Sequence, residues 1–382
     1  MRPPIKTRRW TATALLCSVL AVPVLWPRGG LSAEDDKYLF NDSHVHLTNY
    51  VQKGPDIRDY IKTMGDGVGR SVLFGIPLQQ TWAYENSGDR APTYYLQTDA
   101  PLYYYSFTDA FIANAYLSLP PEDRQRLDPM ITGFNPADMY GADHIRRVLE
   151  TYPGVFTGIG EFTIHKEFVS SKVAGDVASL RNPALDRILD FAGEVGLLAI
   201  MHSDIDVPFA QQNMEPLYLT QTKDVLARHP GTTIIWAHTG LGRVIFPQGA
   251  QATAGDAVRS RNHSEMITEL LEDPAFKHVY FDISWDELAK YAIATPESRE
   301  RVAAMFNRFP DRFLFGTDVV AAPDQTAAMR VFHMWDPIFD KLTPEASLAI
   351  RKKNYERLFD AARMRVRAWE AQNVKGTDIA RR

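Results

Sequence analysis

Short apolar stretches alternate along most of the chain with longer stretches of helical periodicity. The apolar stretches are rich in β-branched residues and mostly continuous, as expected when both faces of a parallel sheet are covered. Eight of them predict strands, at Leu39–Leu47, Ser71–Leu78, Leu127–Asn135, Val155–Ile164, Leu197–Ser203, Thr232–Thr239, His278–Ser284 and Arg312–Val319.

Eight helices are predicted, one after each strand, and three of them begin at a proline, which suits a first helical turn. They are Ile57–Val68, Thr108–Leu119, Ala142–Thr151, Pro183–Val195, Glu215–Arg228, Ser264–Leu271, Pro296–Arg308 and Pro323–Trp335. Eight β-then-α units over about 280 residues predict a (β/α)8 TIM barrel. A doubly wound open sheet is the alternative. The tail, Thr343–Gln372, predicts two more helices packed outside the barrel.

Composition restricts the class of protein. The 382 residues are 45% hydrophobic and 23% charged, as in an ordinary globular protein, which excludes a disordered chain, a collagen-like fibre and a polytopic membrane protein. The net charge of -5 gives no basic excess, so we expect no nucleic-acid partner. A single cysteine, Cys17, excludes a disulfide scaffold and a cysteine-rich zinc module.

The first 33 residues resemble a secretory signal rather than a folded segment. They contain five basic residues and no acidic one, a short apolar run from Thr11 to Trp26, and a small-residue site at Ser32–Ala33. We expect cleavage there and export, to the periplasm in a bacterium; an uncleaved anchor is the alternative, and Arg8–Arg9 is a partial twin-arginine signature. Residues 34–382 then form one domain, with a charge of -10, a small-molecule substrate and no stable membrane partner.

Six side chains that can bind metal follow the apolar runs at the predicted C-terminal strand ends. His44 and His46 are two residues apart, so both imidazoles point to the same side of one strand. The other four close strands 4, 5, 6 and 8: Glu161, His202, His238 and Asp318. Each alone would be explained by a hydrogen-bonded polar residue in the core. Six at the face where barrels carry their active sites predict a divalent metal site.

This set of residues resembles the amidohydrolase superfamily of metal-dependent barrel hydrolases. The segments Ala237–Gly240 and Arg312–Asp318 resemble its amidohydrolase-related branch, which includes hydrolases and non-oxidative decarboxylases. The resemblance spans residues 39–320. It implies that His44, His46 and Asp318 hold the deeper metal, and that His202 completes a mononuclear site or, with His238, holds a second ion. Glu161 stands where two-metal members have a bridging group, which favours two ions.

The resemblance also implies the chemistry. The metal, expected to be Zn²⁺, would activate water for attack on an amide, ester, lactone or phosphoester. Asp318 would accept the water's proton and pass it to the leaving group; with a single ion, His238 would be free to act as base. The alternative reaction is decarboxylation of a small aromatic or unsaturated acid. The complete ligand set argues against a non-catalytic binding protein, because loss of chemistry usually leaves a ligand missing. A nuclease conflicts with the acidic charge of the domain.

Further residues are candidates for substrate contact. His165 lies four residues beyond Glu161, Arg243 could pair with a substrate carboxylate or form a surface salt bridge, and Asp282 ends strand 7. Asp204 and Asp206 follow His202 and either orient a ligand imidazole or form loop hydrogen bonds. The substrate's identity and the oligomeric state are not predicted.

Overall fold

The computed structural model of the protein contains one parallel sheet of eight strands. The structure describes residues 37–49, 51–76, 82, 84, 88–91, 101–102, 105–166, 172–173, 176–177, 179–207, 216–242 and 262–374. The predicted signal segment, Arg243 and most of the two long connections (residues 79–106 and 240–262) lie outside these described residues.

The sheet follows chain order from β1 to β11, and the strands are short. Their bounds are β1 Phe40–Asp42, β2 Val45–His46, β3 Val68–Leu73, β4 Leu127–Ile131, β5 Gly158–His165, β6 Lys172–Val173, β7 Asp176–Val177, β8 Leu198–Ser203, β9 Ile234–Trp236, β10 Val279–Asp282, β11 Phe313–Leu314 and β12 Val319–Val320. The order of pairing is β1-β3-β4-β5-β8-β9-β10-β11, every pair parallel, while β6 and β7 form a separate antiparallel hairpin.

The first and last strands meet and close the sheet into a barrel. β12 pairs in parallel with β2, with Val319 opposite Val45 and Val320 opposite His46. The segments between the short strands also bond across this seam, since the Ser43 amide donates to the Phe315 carbonyl (3.0 Å). Strand 1 is therefore β1 plus β2, and strand 8 is β11 plus β12, which confirms the predicted barrel.

Helices connect successive strands, and two of them begin with a capping box. The α-helices are Ile57–Met64, Thr108–Leu117, Pro121–Arg124, Gly141–Thr151, Pro183–Val195, Leu219–Arg228, His263–Glu272, Asp286–Ala292, Pro296–Arg308, Thr326–Met334, Asp336–Phe339, Pro344–Leu348 and Asn354–Asn373. Asn262 and Thr295 form capping boxes, in which the side chain accepts from the third helical amide. No helix within the described part of the chain is long and apolar enough to cross a membrane.

The last helix, Asn354–Asn373, covers the N-terminal end of the barrel. Its residues Tyr355, Leu358, Phe359 and Ala362 join the apolar cluster that fills the barrel interior, together with side chains from β3, β4, β8, β9 and β11. The tail was predicted to pack outside the barrel, and the structure gives its place: the last helix lies across the N-terminal end, opposite the C-terminal strand ends. The site lies at the other end of the barrel, at the C-terminal strand ends.

Candidate metal centre

His44, His46 and Asp318 meet at the seam between the first and last strands. The Nε2 atoms of both histidines lie 3.3 Å from Asp318 Oδ1. The imidazoles are essentially inaccessible, whereas the Asp318 side chain keeps 12% exposure. The i, i+2 spacing thus brings two ring nitrogens to one carboxylate oxygen.

Glu161, His202 and His238 form a second group beside the first. Glu161 Oε1 lies 2.6 Å from His202 Nδ1 and 3.6 Å from His238 Nε2. Its other oxygen, Oε2, lies 3.8 Å from His44 Nε2 and 3.5 Å from His46 Nε2. Glu161 therefore presents one oxygen to each group of histidines. We call these six side chains the centre.

Backbone geometry at three positions brings these groups together. Gly160 has φ +117°, and a Cβ there would overlap the Ile200 carbonyl oxygen, so only glycine lets Glu161 approach the neighbouring strand. His238 and Asp318 have φ of 52° and 56°, which is uncommon for residues with a side chain. These turns are held by hydrogen bonds, from the His238 amide to Asp282 (2.9 Å) and from the Asp318 amide to the His44 carbonyl (2.8 Å).

The strand predicted to end at Thr239 ends earlier. β9 stops at Trp236, and His238 lies in the following 3-10 turn, Ala237–Gly240. Similarly, Asp318 lies between β11 and β12 rather than on a continuous strand. Both ligand candidates are therefore carried by turns at the strand ends, which the apolar pattern alone does not distinguish from the strands themselves.

In each of the four imidazoles, the ring nitrogen that points away from the centre is hydrogen-bonded to another group of the protein, which fixes the orientation of the ring. These bonds are His44 Nδ1 to Asp282 Oδ2 (2.9 Å), His46 Nδ1 to the Gly75 carbonyl (2.7 Å), His202 Nε2 to Asp204 Oδ1 (3.1 Å) and His238 Nδ1 to Ser284 Oγ (2.8 Å). The remaining nitrogen of every ring faces a carboxylate of the centre.

Ser284 determines the tautomer of His238. Its single hydroxyl proton is donated to Asp282 Oδ1 at 2.6 Å, so Ser284 Oγ accepts from His238 Nδ1–H. The lone pair of His238 Nε2 then points to the centre. His44 Nδ1–H and His46 Nδ1–H likewise donate, to Asp282 and to the Gly75 carbonyl.

The donor set fits a divalent cation. Among the described residues, His44 Nε2, His238 Nε2 and Glu161 Oε2 are buried without a hydrogen-bond partner. Metal–nitrogen and metal–oxygen bonds of about 2.0–2.2 Å at tetrahedral angles separate two donors by about 3.4 Å. The 3.3–3.8 Å separations at Asp318 and at Glu161 Oε2 match this value. Imidazole and carboxylate ligands bind Zn²⁺ and other divalent metal ions.

Electrostatics keep both carboxylates ionised. Burial alone would raise the pKa of Glu161, but the nearby charges of Lys166 and His202 hold it well below its usual range. Burial opposes ionisation of Asp318 as well, and His44, His46 and His238 lower its pKa. Lys166 is therefore close enough to act on the centre.

The three predicted substrate-contact residues have different surroundings. His165 is partly buried and stacks on Tyr218, with ring centroids 3.7 Å apart, and burial lowers its pKa to about 4. Asp282 is fully buried behind His44 and accepts hydrogen bonds from His44 Nδ1 and the His238 amide, so it orients these residues, while its contact with substrate stays a prediction. Arg243 lies outside the described residues, and its contact with substrate stays a prediction.

Two orienting groups were not predicted. Ser284 lies two residues after Asp282, and an i, i+2 pattern at the end of strand 7 would have indicated it. Gly75 acts through its backbone carbonyl, which every residue has, so no residue type in the sequence could have indicated this contact. Of the two aspartates after His202, Asp204 orients that ring, while Asp206 accepts from the backbone amides of Val207 and Leu217.

Comparison with known proteins gives a family match and distant structural similarity. A family model described as amidohydrolase matches residues 42–361. No curated protein matches the chain.

Three solved structures illustrate the structural similarity. A zinc-bound amidohydrolase from Burkholderia multivorans is 14% identical, covering 84% of this chain and 99% of its own, with a TM-score of 0.48. Dihydroorotase from Campylobacter jejuni is 12% identical, covering 84% of each chain, with a TM-score of 0.47. 2,6-Dihydroxybenzoate decarboxylase from Rhizobium is 11% identical, covering 84% of this chain and 99% of its own, with a TM-score of 0.47.

Proposed function

Since the chain belongs to the amidohydrolase family, we propose that it is a metal-dependent hydrolase that uses water to cleave an amide, ester, lactone or phosphoester bond of a small organic substrate. The observation that carries this proposal is the position of Asp318. It is the one carboxylate of the centre whose side chain keeps appreciable exposure, 12% against 1% for Glu161. A water molecule at the open side of the centre can therefore reach it.

The proposed cofactor is Zn²⁺, with two ions. The support for two is the orientation of Glu161, whose Oε2 faces His44 and His46 while Oε1 faces His202 and His238. Divalent cations held here would act as Lewis acids and would lower the pKa of water toward about 7.

The residues of the chain supply proton transfer and orientation. Asp318 is ionised because its pKa is lowered by three neighbouring imidazoles, so its carboxylate accepts the proton of the attacking water and returns it to the leaving atom. His44 and His238 are both held by Asp282, which keeps their inner nitrogens at fixed positions. If only one ion binds, the His238 Nε2 lone pair becomes the base instead.

The test is a reaction screen of protein purified and then loaded with Zn²⁺. Amides, lactones, esters, phosphoesters and aromatic acids are incubated in water labelled with ¹⁸O, and both label uptake and carbon dioxide are measured. We expect ¹⁸O in the product of at least one hydrolysable class and no carbon dioxide from the acids. Carbon dioxide release without label would instead establish the decarboxylase alternative.

His46→Ala and His333→Ala provide the matched pair for this screen. His46 contacts Asp318, while His333 is exposed on the outer helix Thr326–Met334 and contacts Asp336. We expect His46→Ala to lose bound zinc and turnover while its far-ultraviolet circular dichroism is unchanged, and His333→Ala to keep both. Full zinc content and activity in His46→Ala would exclude this assignment of the centre.

We also propose that the chain is exported with removal of residues 1–33, on the basis of its basic and apolar N-terminal pattern. The support is the sequence pattern alone. Cell fractionation and intact mass of protein made in a bacterial host test it: we expect periplasmic protein that begins after Ala33. Cytoplasmic protein with the whole N-terminus contradicts it.

A further inference from the structure

Trp285 has a backbone conformation that tryptophan rarely adopts. Its φ is 81° and its ψ is 134°, in a region that is accessible to glycine and strained for residues with a Cβ. It stands between Ser284, which orients His238, and the helix Asp286–Ala292. A glycine would make this turn without strain, so the strain at this position comes with the tryptophan side chain.

The indole lies beside the centre. Its ring centroid is 5.1 Å from that of His238, at an interplanar angle of 51°, and the residue keeps 8% exposure. Trp285 follows the C-terminal end of β10 by three residues, so it lies on the face of the barrel where the centre is. His238 is thus bounded by Glu161 on one side and by a large apolar surface on another.

We propose that Trp285 is a specificity-determining residue whose indole forms an apolar wall for the acyl side of the substrate, so that acyl groups carrying a planar or aromatic ring are favoured over small ones. This inference rests on the proposed function, because it places the reacting bond at the centre. Strain at a functional residue is tolerated when the surrounding structure holds it and the side chain serves binding. Ring packing against the indole would supply that binding energy.

The first test uses the order of stability of two variants. Alanine at position 285 keeps the strain, whereas glycine removes it, so we expect Trp285→Gly to be more stable than Trp285→Ala by about tenfold in the unfolding equilibrium constant. The matched control is Trp335, which is buried with φ -84°, where alanine should be more stable than glycine. Urea unfolding of the four variants measures both orders.

The second test measures binding without relying on turnover. Acetohydroxamate and phenylacetohydroxamate share a metal-chelating group and differ in the ring. Calorimetry on zinc-loaded protein should show that the wild type prefers phenylacetohydroxamate, that Trp285→Ala loses this preference by about tenfold, and that Trp285→Phe keeps most of it. Affinity for acetohydroxamate should be the same in all three proteins.

Different failures have different meanings. An unchanged preference in Trp285→Ala, or a Trp285→Ala protein at least as stable as Trp285→Gly, overturns the role of Trp285 and leaves the hydrolase proposal intact. A zinc-loaded wild type that binds both hydroxamates equally also overturns it. A protein that takes up no zinc refutes the proposed function, and the wall proposal with it.

Discussion

The Thr317 hydroxyl donates a 2.6 Å hydrogen bond to Asp42 Oδ2 although 275 positions separate the two residues. Asp42 Oδ1 also accepts from the backbone amides of Thr317 (2.9 Å) and His44 (3.1 Å). Asp42 is fully buried, and burial raises its pKa to about 7. One carboxylate therefore connects the backbone before Asp318 to the backbone of His44 and helps to set the distance between these two residues.

Thr317→Val is expected to weaken the centre without unfolding the barrel. Valine has the same shape but leaves Asp42 Oδ2 without its hydroxyl donor, at a cost of about 1–3 kcal/mol in the free energy of unfolding. Zinc affinity should fall by about 10- to 100-fold, as for other groups that orient ligands. Urea unfolding and zinc titration measure the two effects. Thr151→Val, at an exposed helix end, is the control; zinc affinity equal to wild type in Thr317→Val would contradict the prediction.

Glu161→Gln tests the number of ions. The amide keeps the size of the side chain but replaces one oxygen by a nitrogen that does not ligate, so Glu161 can no longer serve both groups of histidines. We expect zinc content to fall from two ions to one by elemental analysis, with the fold retained by circular dichroism. Unchanged stoichiometry of one ion in both proteins would show a mononuclear centre.

His263 makes stability depend on pH. Its Nε2–H donates to the Thr239 carbonyl (2.8 Å), and burial lowers the pKa of the imidazole to about 4. Unfolded histidine titrates near pH 6.5, so below that pH the unfolded chain binds a proton that the folded protein does not, and stability falls as pH falls.

His263→Gln should remove this contribution because glutamine can donate to the same carbonyl and does not titrate. Between pH 7 and pH 5, wild type should lose about 2 kcal/mol more of its free energy of unfolding than the variant. Urea unfolding at several pH values measures the difference, with exposed His333→Gln as the control. Parallel pH profiles for wild type and His263→Gln would refute it.

Asp128→Ala is expected to affect stability alone. At the end of the barrel opposite the centre, the buried Asp128 carboxylate accepts from Arg70 (2.8 Å), Arg363 (2.6 Å) and the Tyr355 hydroxyl (2.9 Å). Removing it leaves the partly buried Arg363 without its carboxylate partner and Arg70 with the exposed Asp360 alone, which should cost about 3–5 kcal/mol.

The control for Asp128 is Asp360→Ala. Asp360 pairs with the same Arg70 at 2.6 Å but is 54% exposed, so its loss should cost less than about 1 kcal/mol. Urea unfolding compares the two variants, and zinc titration should show wild-type affinity in both. Equal destabilisation by the two substitutions would show that burial of Asp128 contributes nothing.

Local pattern was sufficient for the order of the strands and for the bounds of two helices, whereas the helix predicted from Pro323 begins at Thr326. The helices Pro183–Val195 and Pro296–Arg308 have the bounds predicted for them, because a proline at the first turn and an apolar stripe are signals carried by neighbouring residues. The ends of strands 6 and 8 were predicted less well. His238 and Asp318 continue apolar runs in sequence, yet both adopt positive φ because hydrogen bonds from distant strands hold them there.

The sequence by itself determined the barrel, the end of it at which the six residues of the centre lie, and the types of those residues, because strand periodicity and residue chemistry are local properties. Only the tertiary structure decided which nitrogen of each ring faces the centre, and that Glu161 directs one oxygen to His44 and His46 and the other to His202 and His238. It also decided that Asp282, Ser284 and the Gly75 carbonyl orient three of the imidazoles. Those relationships join residues far apart in the chain, and their geometry exists only once β2 and β12 close the barrel.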